Sequence, residues 1–327
     1  MSKTFINKIG LNLKKHNLLV MLLIVMGIST YMTGGVYFRP SNLLSVISRA
    51  SVVGIMALGQ ALVIISGGFD LSVGSLLAFA ITVIATVTAN YGLFAGTIMG
   101  MIATTMLGAV NGVLVVKTRV PPFIVTIGMM TIARSISWII IAGRDVIFYY
   151  YKDLIQPVFI HLPGGANLFP VLILICAAIG IGFVLHYSKI GRYIYAIGSN
   201  ERAAVASGIP VKTVKIFIYA LSGFLCSIAA IVYLYRFTGA SPAIGEEFLL
   251  QTIAAVTLGG GYMYGGEGSV WGVMVGIFVL VSITNVLNVA GIPPTVNKAV
   301  LGGIVLVAVL LQNWLKESSF FAEKVDF

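Results

Sequence analysis

Charged side chains are scarce in this sequence. Only 9% of its 327 residues are Asp, Glu, Lys or Arg, whereas 59% are hydrophobic. A soluble domain carries roughly 25% charged residues, so this chain could not cover a water-exposed surface with polar groups. The composition excludes a soluble protein and predicts an integral membrane protein in a lipid bilayer. The formal net charge of +10 comes from basic residues dispersed among apolar runs, which favours membrane topology over a nucleic-acid partner as its explanation.

Motifs for catalysis and cofactor binding are also missing. No Gly-Lys dipeptide occurs, so the chain has no P-loop for ATP, and neither HExxH nor GxSxG is found. The three histidines, His16, His161 and His186, are far apart in the sequence. Cys176 and Cys226 both lie in apolar runs, where packing explains them better than a disulfide or a metal site. We therefore expect no enzyme activity, no metal and no cofactor in this chain.

Long apolar runs, by contrast, are abundant. A membrane span needs about 17 to 20 apolar residues. The eighth run is short and glycine-rich, and the boundary at 67–71 is too tight for an ordinary loop, so both are candidates for broken or re-entrant segments. The predicted fold class is an all-α integral membrane protein with about ten transmembrane helices, some short or broken. The predicted spans lie near 17–34, 43–66, 71–90, 92–116, 122–142, 168–186, 214–235, 247–263, 269–290 and 296–314.

The basic residues predict the orientation of these spans. With the N-terminus in the cytoplasm, most of the 20 basic residues fall in cytoplasmic segments, and an even number of spans brings the C-terminus to the same side. The largest outer loop, 143–167, begins with Tyr149, Tyr150 and Tyr151, which we interpret as a tyrosine belt at the water interface rather than a ligand site. The predicted single transmembrane domain, 1–327, comprises a first half at about 17–186, a cytoplasmic loop at about 187–213, a second half at about 214–314 and a cytoplasmic tail at 315–327.

The two halves repeat at an offset of about 171 residues. Because this offset covers five predicted crossings, an odd number, the second five-helix repeat is expected to be inverted relative to the first. Inverted repeats are typical of transport proteins. The alternative is that glycines recur without duplication, as they are common in membrane helices. The matches in register are Gly68–Gly74 with Gly239–Gly245, Gly96–Gly100 with Gly268–Gly272, and Pro121-Pro122 with Pro293-Pro294.

Acidic residues number only ten, and none lies in the middle of a predicted span. A carrier driven by protons or sodium usually keeps a carboxylate near the bilayer midplane, so we expect the driving energy to come from outside this chain. Arg134 is the one clearly buried charge among the predicted spans. It is expected to face the bundle interior, bonded to carbonyl groups or to an acid, and either stabilises the bundle or lines a transport route.

Polar clusters precede the third and the eighth predicted spans. Asp70 and Ser72 are expected to cap the start of the third span, while Glu246 and Glu247 lie in the first turn of the eighth. Capping is the favoured role for these four residues. An interface or a gate in a transport pathway is the alternative.

The longest polar interruption in the second half runs from 187 to 215 and contains five basic residues. Within it, the segment 200–207 is predicted to form a short helix that Gly208 ends. A short helix between two spans, on the side marked cytoplasmic by its charge, is predicted to dock on a partner that drives transport. The helix residues predicted to matter are Asn200 as N-cap, Glu201 in the first turn, and Ala203, Ala204, Ala206 and Ser207 as a small face that enters a groove of the partner.

Three segments resemble one family across nearly the whole chain. SGGFDLSVGS at 66–75 resembles a signature of bacterial ABC-importer permeases of the ribose/xylose/arabinose type. GRYIYAIGSNERAAVASGI at 191–209 is similar to the cytoplasmic loop of that family, and GEEFLLQTIAAVTLGG at 245–260 to its late glycine-rich span. Phe69 stands where the family usually has isoleucine, and Glu247-Phe248-Leu249 where glutamate-leucine-aspartate is common.

The resemblance implies a permease subunit for a monosaccharide in the bacterial inner membrane, paired with a second permease that is identical or homologous. Two ABC ATPase subunits, which bind the ATP and Mg²⁺, would dock inside, and an extracytoplasmic binding protein would deliver the sugar. The 200–208 helix would be the coupling helix that sits in the ATPase. Related permeases for nucleosides, autoinducer furanones or branched-chain amino acids share this architecture and remain alternatives. A self-powered secondary carrier is the rival from another class.

Overall fold

The structure, a computed structural model, describes residues 3–118, 120–142, 146–147, 161–162, 166–237 and 239–324. The predicted tyrosine belt at Tyr149–Tyr151 lies outside the described residues. The helices are α1 Lys3–Met32, α2 Pro40–Ile65, α3 Val73–Tyr91, α4 Leu93–Thr118, α5 Pro122–Ile140, α6 Phe169–Tyr187, α7 Lys189–Ser199, α8 Glu201–Ala206, α9 Val211–Arg236, α10 Glu246–Leu258, α11 Val270–Val289 and α12 Pro294–Lys324.

Short non-α elements complete the described chain. A 3₁₀ turn at Val36–Phe38 joins α1 to α2. Two antiparallel pairs of two-residue strands connect loops. In the first, β1 (Val146–Ile147) pairs with β4 (Gly239–Ala240), and in the second, β2 (His161–Leu162) pairs with β3 (Ala166–Asn167). Apart from these short elements, the regular structure of the described chain is α-helical. The fold is all-α, as predicted.

Seven of the described helices are long and apolar enough to cross a membrane, namely α2, α3, α4, α5, α6, α9 and α11. Shorter apolar stretches, Leu18–Met32 and Thr295–Leu310, lie within α1 and α12. The eighth predicted span corresponds to α10, which has 13 residues. At 1.5 Å per residue α10 is about 20 Å long, shorter than the roughly 30 Å hydrocarbon core. The chain is a multi-pass membrane protein, and its eighth apolar segment is short, as the sequence predicted.

Helix boundaries repeat with the offset found in the sequence. A shift of 171 carries Pro40–Ile65, 26 residues long, onto Val211–Arg236, also 26 residues long. A shift of 172 carries Pro122, the first residue of α5, onto Pro294, the first residue of α12. The packing repeats as well, because α2 packs on α10 and α11 while its counterpart α9 packs on α3 and α4. This exchange of partners is what a twofold relation between two repeats requires.

The centre of the bundle is α2, which is mainly apolar and buried at every residue from Ala50 to Ile65. A helix that is hydrophobic all round is surrounded by other helices. The end where α8 and the start of α9 lie beside the α4–α5 connection is called here the loop end. At the opposite end Asn42 of α2 exchanges side-chain hydrogen bonds with Asn285 of α11.

The connector between α2 and α3 lies inside the bundle, because Asp70 and Ser72 are both fully buried. The Asp70 carboxylate faces Ser222, eleven residues after the first residue of α9, Val211. A rise of 1.5 Å per residue places Ser222 about 16 Å from the loop end, deep within a membrane-spanning helix. Asp70 lies between two helices, in agreement with the prediction that no acidic residue falls in the middle of a span, but it is deep in the bundle rather than near its surface. The non-helical residues 66–72 between α2 and α3 bring the chain into the bundle at this point.

Candidate functional site

The first turns of α3 and α10 meet at two glycines inside the bundle. A Cβ atom added to Gly74 would collide with the carbonyl oxygen of Gly245, and one added to Gly245 would collide with the carbonyl oxygen of Gly74. Gly245 also has φ +100°, a left-handed conformation that glycine adopts without strain. The two backbones can touch only because neither residue carries a side chain.

Arg134 of α5 forms hydrogen bonds to residues on both sides of this contact. Its guanidinium donates to Ser75 Oγ at 3.2 and 3.3 Å, to the Pro242 carbonyl oxygen at 3.0 Å and to Glu246 Oε1 at 3.1 Å. Ser75 and Glu246 follow the two glycines directly and are equivalent in the repeat. The Arg134 side chain is 20% exposed and that of Glu246 is 65% exposed, so the pair borders an open surface. Arg134 thus bonds to a carbonyl and to an acid, as expected, and joins the two repeats.

Asp70 and Ser72 anchor the connector rather than cap α3. Asp70 Oδ1 accepts from the Ser72 backbone N–H at 2.9 Å and from the Ser72 hydroxyl. Ser72 Oγ accepts from Asn111 Nδ2 at 2.9 Å, while the Ser222 hydroxyl lies 3.5 Å from Asp70 Oδ2. Ser72 is the N-cap of α3, but its side chain makes no cap hydrogen bond. The predicted capping role is therefore wrong, because these side chains bond to each other and to α4 and α9.

Glu246 and Glu247 occupy the first turn of α10, as predicted. Glu246 pairs with Arg134, and Glu247 Oε2 lies 3.7 Å from Arg49 Nη2 of α2. Carboxylates in the first turn complement the partial positive charge of a helix N-terminus. Both acids therefore connect α10 electrostatically to neighbouring helices.

Two cavities flank α10 and share Glu246 and Leu250. The cavity between α3, α5 and α10 has a volume of about 540 Å³ and is mainly apolar, with Arg134 at its edge. The cavity on the other side, between α10, α11 and α12, has a volume of about 420 Å³. We name the second one the amide cleft, after Gln251, Asn288 and Asn297 in its wall. The sequence gives no signal for these amides, because single polar residues in apolar runs carry no spacing that distinguishes them.

The loop helix forms as predicted at its two ends. Asn200 Oδ1 accepts from the Ala203 N–H at 3.0 Å, so Asn200 is the N-cap of α8. Gly208, with φ +78°, follows the helix and ends it in a left-handed conformation. Lys215 of α9 donates to Glu201 Oε2 at 2.7 Å and fixes the start of α8 against the bundle. The helix at the loop end is thus short, with both of its ends defined and an ion pair that connects it to α9.

The predicted small face of α8 is wrong at Ala204. Its side chain is only 4% exposed and packs in the core of this chain, whereas Val205 next to it is 60% exposed. Ala203, Ala206 and Ser207 are exposed, as a docking surface requires. A groove of about 410 Å³ lies beside Val205, between α8 and the α4–α5 connection at 115–122. The exposed surface of α8 is therefore formed around Val205 rather than around Ala204.

Comparison with known proteins identifies the family. Residues 42–310 match the family model of the permease component of the branched-chain amino acid transport system. The chain belongs to this family of permeases. The permease is 36% identical over 307 residues to the ribose import permease protein of Escherichia coli K12, which covers 92% of this chain and 94% of the relative. It is 32% identical over 282 residues to the ribose import permease protein of Bacillus subtilis, covering 85% and 86%.

Other relatives of the permease carry the names of other sugars. The fructose import permease protein of Rhizobium meliloti is 28% identical over 309 residues, which covers 91% of this chain and 84% of the relative. The L-arabinose ABC transporter permease protein of Azospirillum brasilense is 29% identical over 300 residues, covering 90% and 87%. The permease therefore aligns with several sugar permeases over nearly its whole length.

Proposed function

We propose that this permease forms the membrane pathway of an ATP-driven importer for a monosaccharide. The observation that carries the proposal is the 36% identity with a ribose import permease over 92% of the chain. No Gly-Lys dipeptide occurs in the sequence, so ATP would be hydrolysed by a separate ATPase subunit. An extracytoplasmic binding protein would deliver the sugar. A second permease, identical or homologous, would complete the pathway in the inner membrane.

Amide side chains in the wall of the amide cleft favour a sugar over a branched-chain amino acid. The family model is named for branched-chain amino acid transport, whereas the aligned relatives are named for ribose, fructose and arabinose. A leucine-like side chain requires an apolar pocket, because burial of apolar surface is what binds it. The amide cleft instead presents Gln251, Asn288 and Asn297, which donate to and accept from hydroxyl groups. We therefore favour a polyhydroxylated substrate.

In this proposal α8 is the element that the ATPase moves. A helix that transmits force needs fixed ends and a surface for its partner. Asn200 and Gly208 fix the ends, the Lys215–Glu201 pair tethers the helix to α9, and Val205 offers an exposed apolar contact. ATP-driven closure of the ATPase dimer would push on this surface. The loop end would accordingly face the cytoplasm, together with both termini.

Reconstitution tests the proposal directly. The permease, its ATPase and its binding protein are placed in liposomes, and ribose uptake is followed with and without ATP. We expect uptake only when all three proteins and ATP are present. Uptake by the permease alone, driven by a sodium or proton gradient, would instead establish a secondary carrier. ATP-dependent uptake of leucine but not of ribose would assign an amino-acid importer.

A further inference from the structure

The amide cleft lies at the end of the bundle opposite the loop end. The start of α10, the end of α11 and the start of α12 form its walls, with Arg49 of α2 at one side. Its volume of about 420 Å³ falls in the range of roughly 300–1,000 Å³ that is usual for small-molecule sites. In the proposed orientation this end faces the outside, from which a binding protein would release its ligand.

Two buried carbonyl oxygens in the cleft have no hydrogen-bond partner among the residues that the structure describes. They are Gln251 Oε1, on a residue 1% exposed, and Asn297 Oδ1, on a residue 8% exposed. Asn297 Nδ2 donates to Asn288 Oδ1 at 2.8 Å, so that amide is held in place while its buried oxygen has no partner among the described residues. Buried polar groups in proteins are almost always paired. These two acceptors therefore fit a ligand that supplies hydroxyl donors.

Both acidic side chains that line the cleft already have a basic partner. The lining contains Arg49 and Lys298 beside Glu246 and Glu247. Glu247 is already paired with Arg49, and Glu246 with Arg134, so neither acid is left for a ligand ammonium group. A ligand ammonium group would therefore be buried without a partner, which is expensive. The pairing of both acids favours a ligand without a positive charge, bound through hydrogen bonds.

No aromatic side chain is among the described residues that line the cleft. A pathway must bind its solute weakly enough to release it to the next position. Hydrogen bonds from a few amides, without an aromatic ring for the sugar to stack on, suit transient contact better than tight binding. The cleft is therefore suited to weak, transient binding of a sugar rather than to tight binding.

We propose that the amide cleft is a subsite of the translocation pathway in which the hydroxyl groups of a neutral monosaccharide donate to Gln251 and Asn297. The inference rests on the proposed import function and names the residues of this chain that would touch the sugar. It places a sugar contact within one permease subunit, between α10, α11 and α12.

Gln251→Met tests the subsite, because methionine keeps the length of the side chain and removes both polar atoms. The complete importer is reconstituted, and sugar uptake and ATP hydrolysis are measured in the same vesicles. We expect roughly two- to tenfold less ribose imported per ATP hydrolysed, the effect of one lost neutral hydrogen bond. ATP hydrolysis stimulated by the loaded binding protein should stay close to wild type.

Gln60→Met is the matched control. Gln60 of α2 is fully buried, and neither of its polar side-chain atoms has a partner among the described residues, but it does not line the cleft. We expect this variant to keep the wild-type ratio of sugar to ATP. The same fall in that ratio in both variants, or an unchanged ratio in Gln251→Met, would overturn the subsite.

A second measurement covers the case in which Gln251→Met fails to assemble. Asn288→Cys, at an exposed residue of the cleft wall, is made with Cys176→Ala and Cys226→Ala, which remove the two native cysteines. Ribose at high millimolar concentration should slow the reaction of the new thiol with a small methanethiosulfonate reagent, and equal leucine should not. Absence of ribose protection rejects the subsite even if the importer takes up ribose. Failure of the wild-type importer to take up any monosaccharide rejects the proposed function itself.

Discussion

Gly74 and Gly245 touch through their backbones, and they are equivalent positions in the two repeats. Exchange of the repeats therefore maps the contact onto itself, as a point on a twofold axis requires. Two short-range consequences follow for the neighbouring residues. Ser75 and Glu246 are brought side by side, and Arg134 can reach both. The meeting of two helix starts within the bundle thus explains why both positions are glycine.

Adding a methyl group at this contact is predicted to destabilise the permease. Gly74→Ala and Gly245→Ala each place a Cβ against a carbonyl oxygen, and overpacking of this kind costs about 1–3 kcal/mol. Gly245→Ala should be the worse, because its positive φ adds roughly 1–3 kcal/mol of backbone strain. Thermal unfolding of the detergent-solubilised permease measures the effect. Gly128→Ala, a position with open space around its Cβ, should be neutral or slightly stabilising.

Removal of the Arg134 guanidinium should loosen the junction between the repeats. Arg134→Met loses the hydrogen bonds to Ser75, Pro242 and Glu246, and hydrogen bonds to charged groups contribute about 1.5–3 kcal/mol when buried. Because Arg134 and Glu246 are both partly exposed, the loss of stabilising free energy should be nearer the lower figure. The unfolding temperature should fall, whereas Arg39→Met, at an exposed residue, should not change it. An unchanged unfolding temperature in Arg134→Met would show that these hydrogen bonds do not stabilise the permease.

Asp70 should tolerate asparagine and reject leucine. Asparagine keeps an Oδ1 that accepts from the Ser72 N–H and hydroxyl, and its amide NH₂ can donate to Ser222. Asp70→Leu leaves the two buried Ser72 donors unpaired, at about 1–3 kcal/mol each. Assembly in the membrane and thermal unfolding distinguish the two variants. Loss of transport in a normally assembled Asp70→Asn would instead indicate that the carboxylate acts in the pathway.

Val205 is predicted to be the contact of α8 with the ATPase. Val205→Asp should leave a folded permease that no longer co-purifies with its ATPase, because the exposed apolar contact is replaced by a charge. Asn90→Asp, at an exposed residue of α3, is the control and should co-purify normally. Ala204→Trp should disturb the permease itself, since Ala204 is buried in its own core. Normal ATPase binding by Val205→Asp would exclude this surface of α8.

Labelling of cysteines tests the orientation. In a permease without Cys176 and Cys226, Val205→Cys should react only with reagent supplied from the cytoplasm. Asn90→Cys, near the end of α3 that lies away from the loop end, should react only from outside. The sequence also predicts outside labelling of positions in 148–165. Reaction of Val205→Cys and Asn90→Cys from the same side would reject the proposed topology.

Local sequence features were enough for the membrane helices and the ends of α8. Apolar runs predict spans because a backbone in lipid must satisfy its own hydrogen bonds, and helices do so over a fixed length. Asn200 and Gly208 predict the limits of α8 because capping depends only on neighbouring residues. The inside face of α8 was not predictable, since a helix of six residues is too short for apolar periodicity to choose between Ala204 and Val205.

The all-α membrane class, the approximate positions of the membrane helices and the repeat follow from the sequence alone, because each depends on local composition or on self-similarity. The helix Lys189–Ser199 within the predicted loop was not predicted. The packing of the helices was needed to show that Asp70 lies deep in the bundle, that Arg134 joins Ser75 to Glu246, and that Gln251 and Asn297 share one cleft. These relationships join residues on different helices. They depend on how the helices pack, and in lipid that packing is set by close contact of small residues such as Gly74 and Gly245 rather than by hydrophobic pattern.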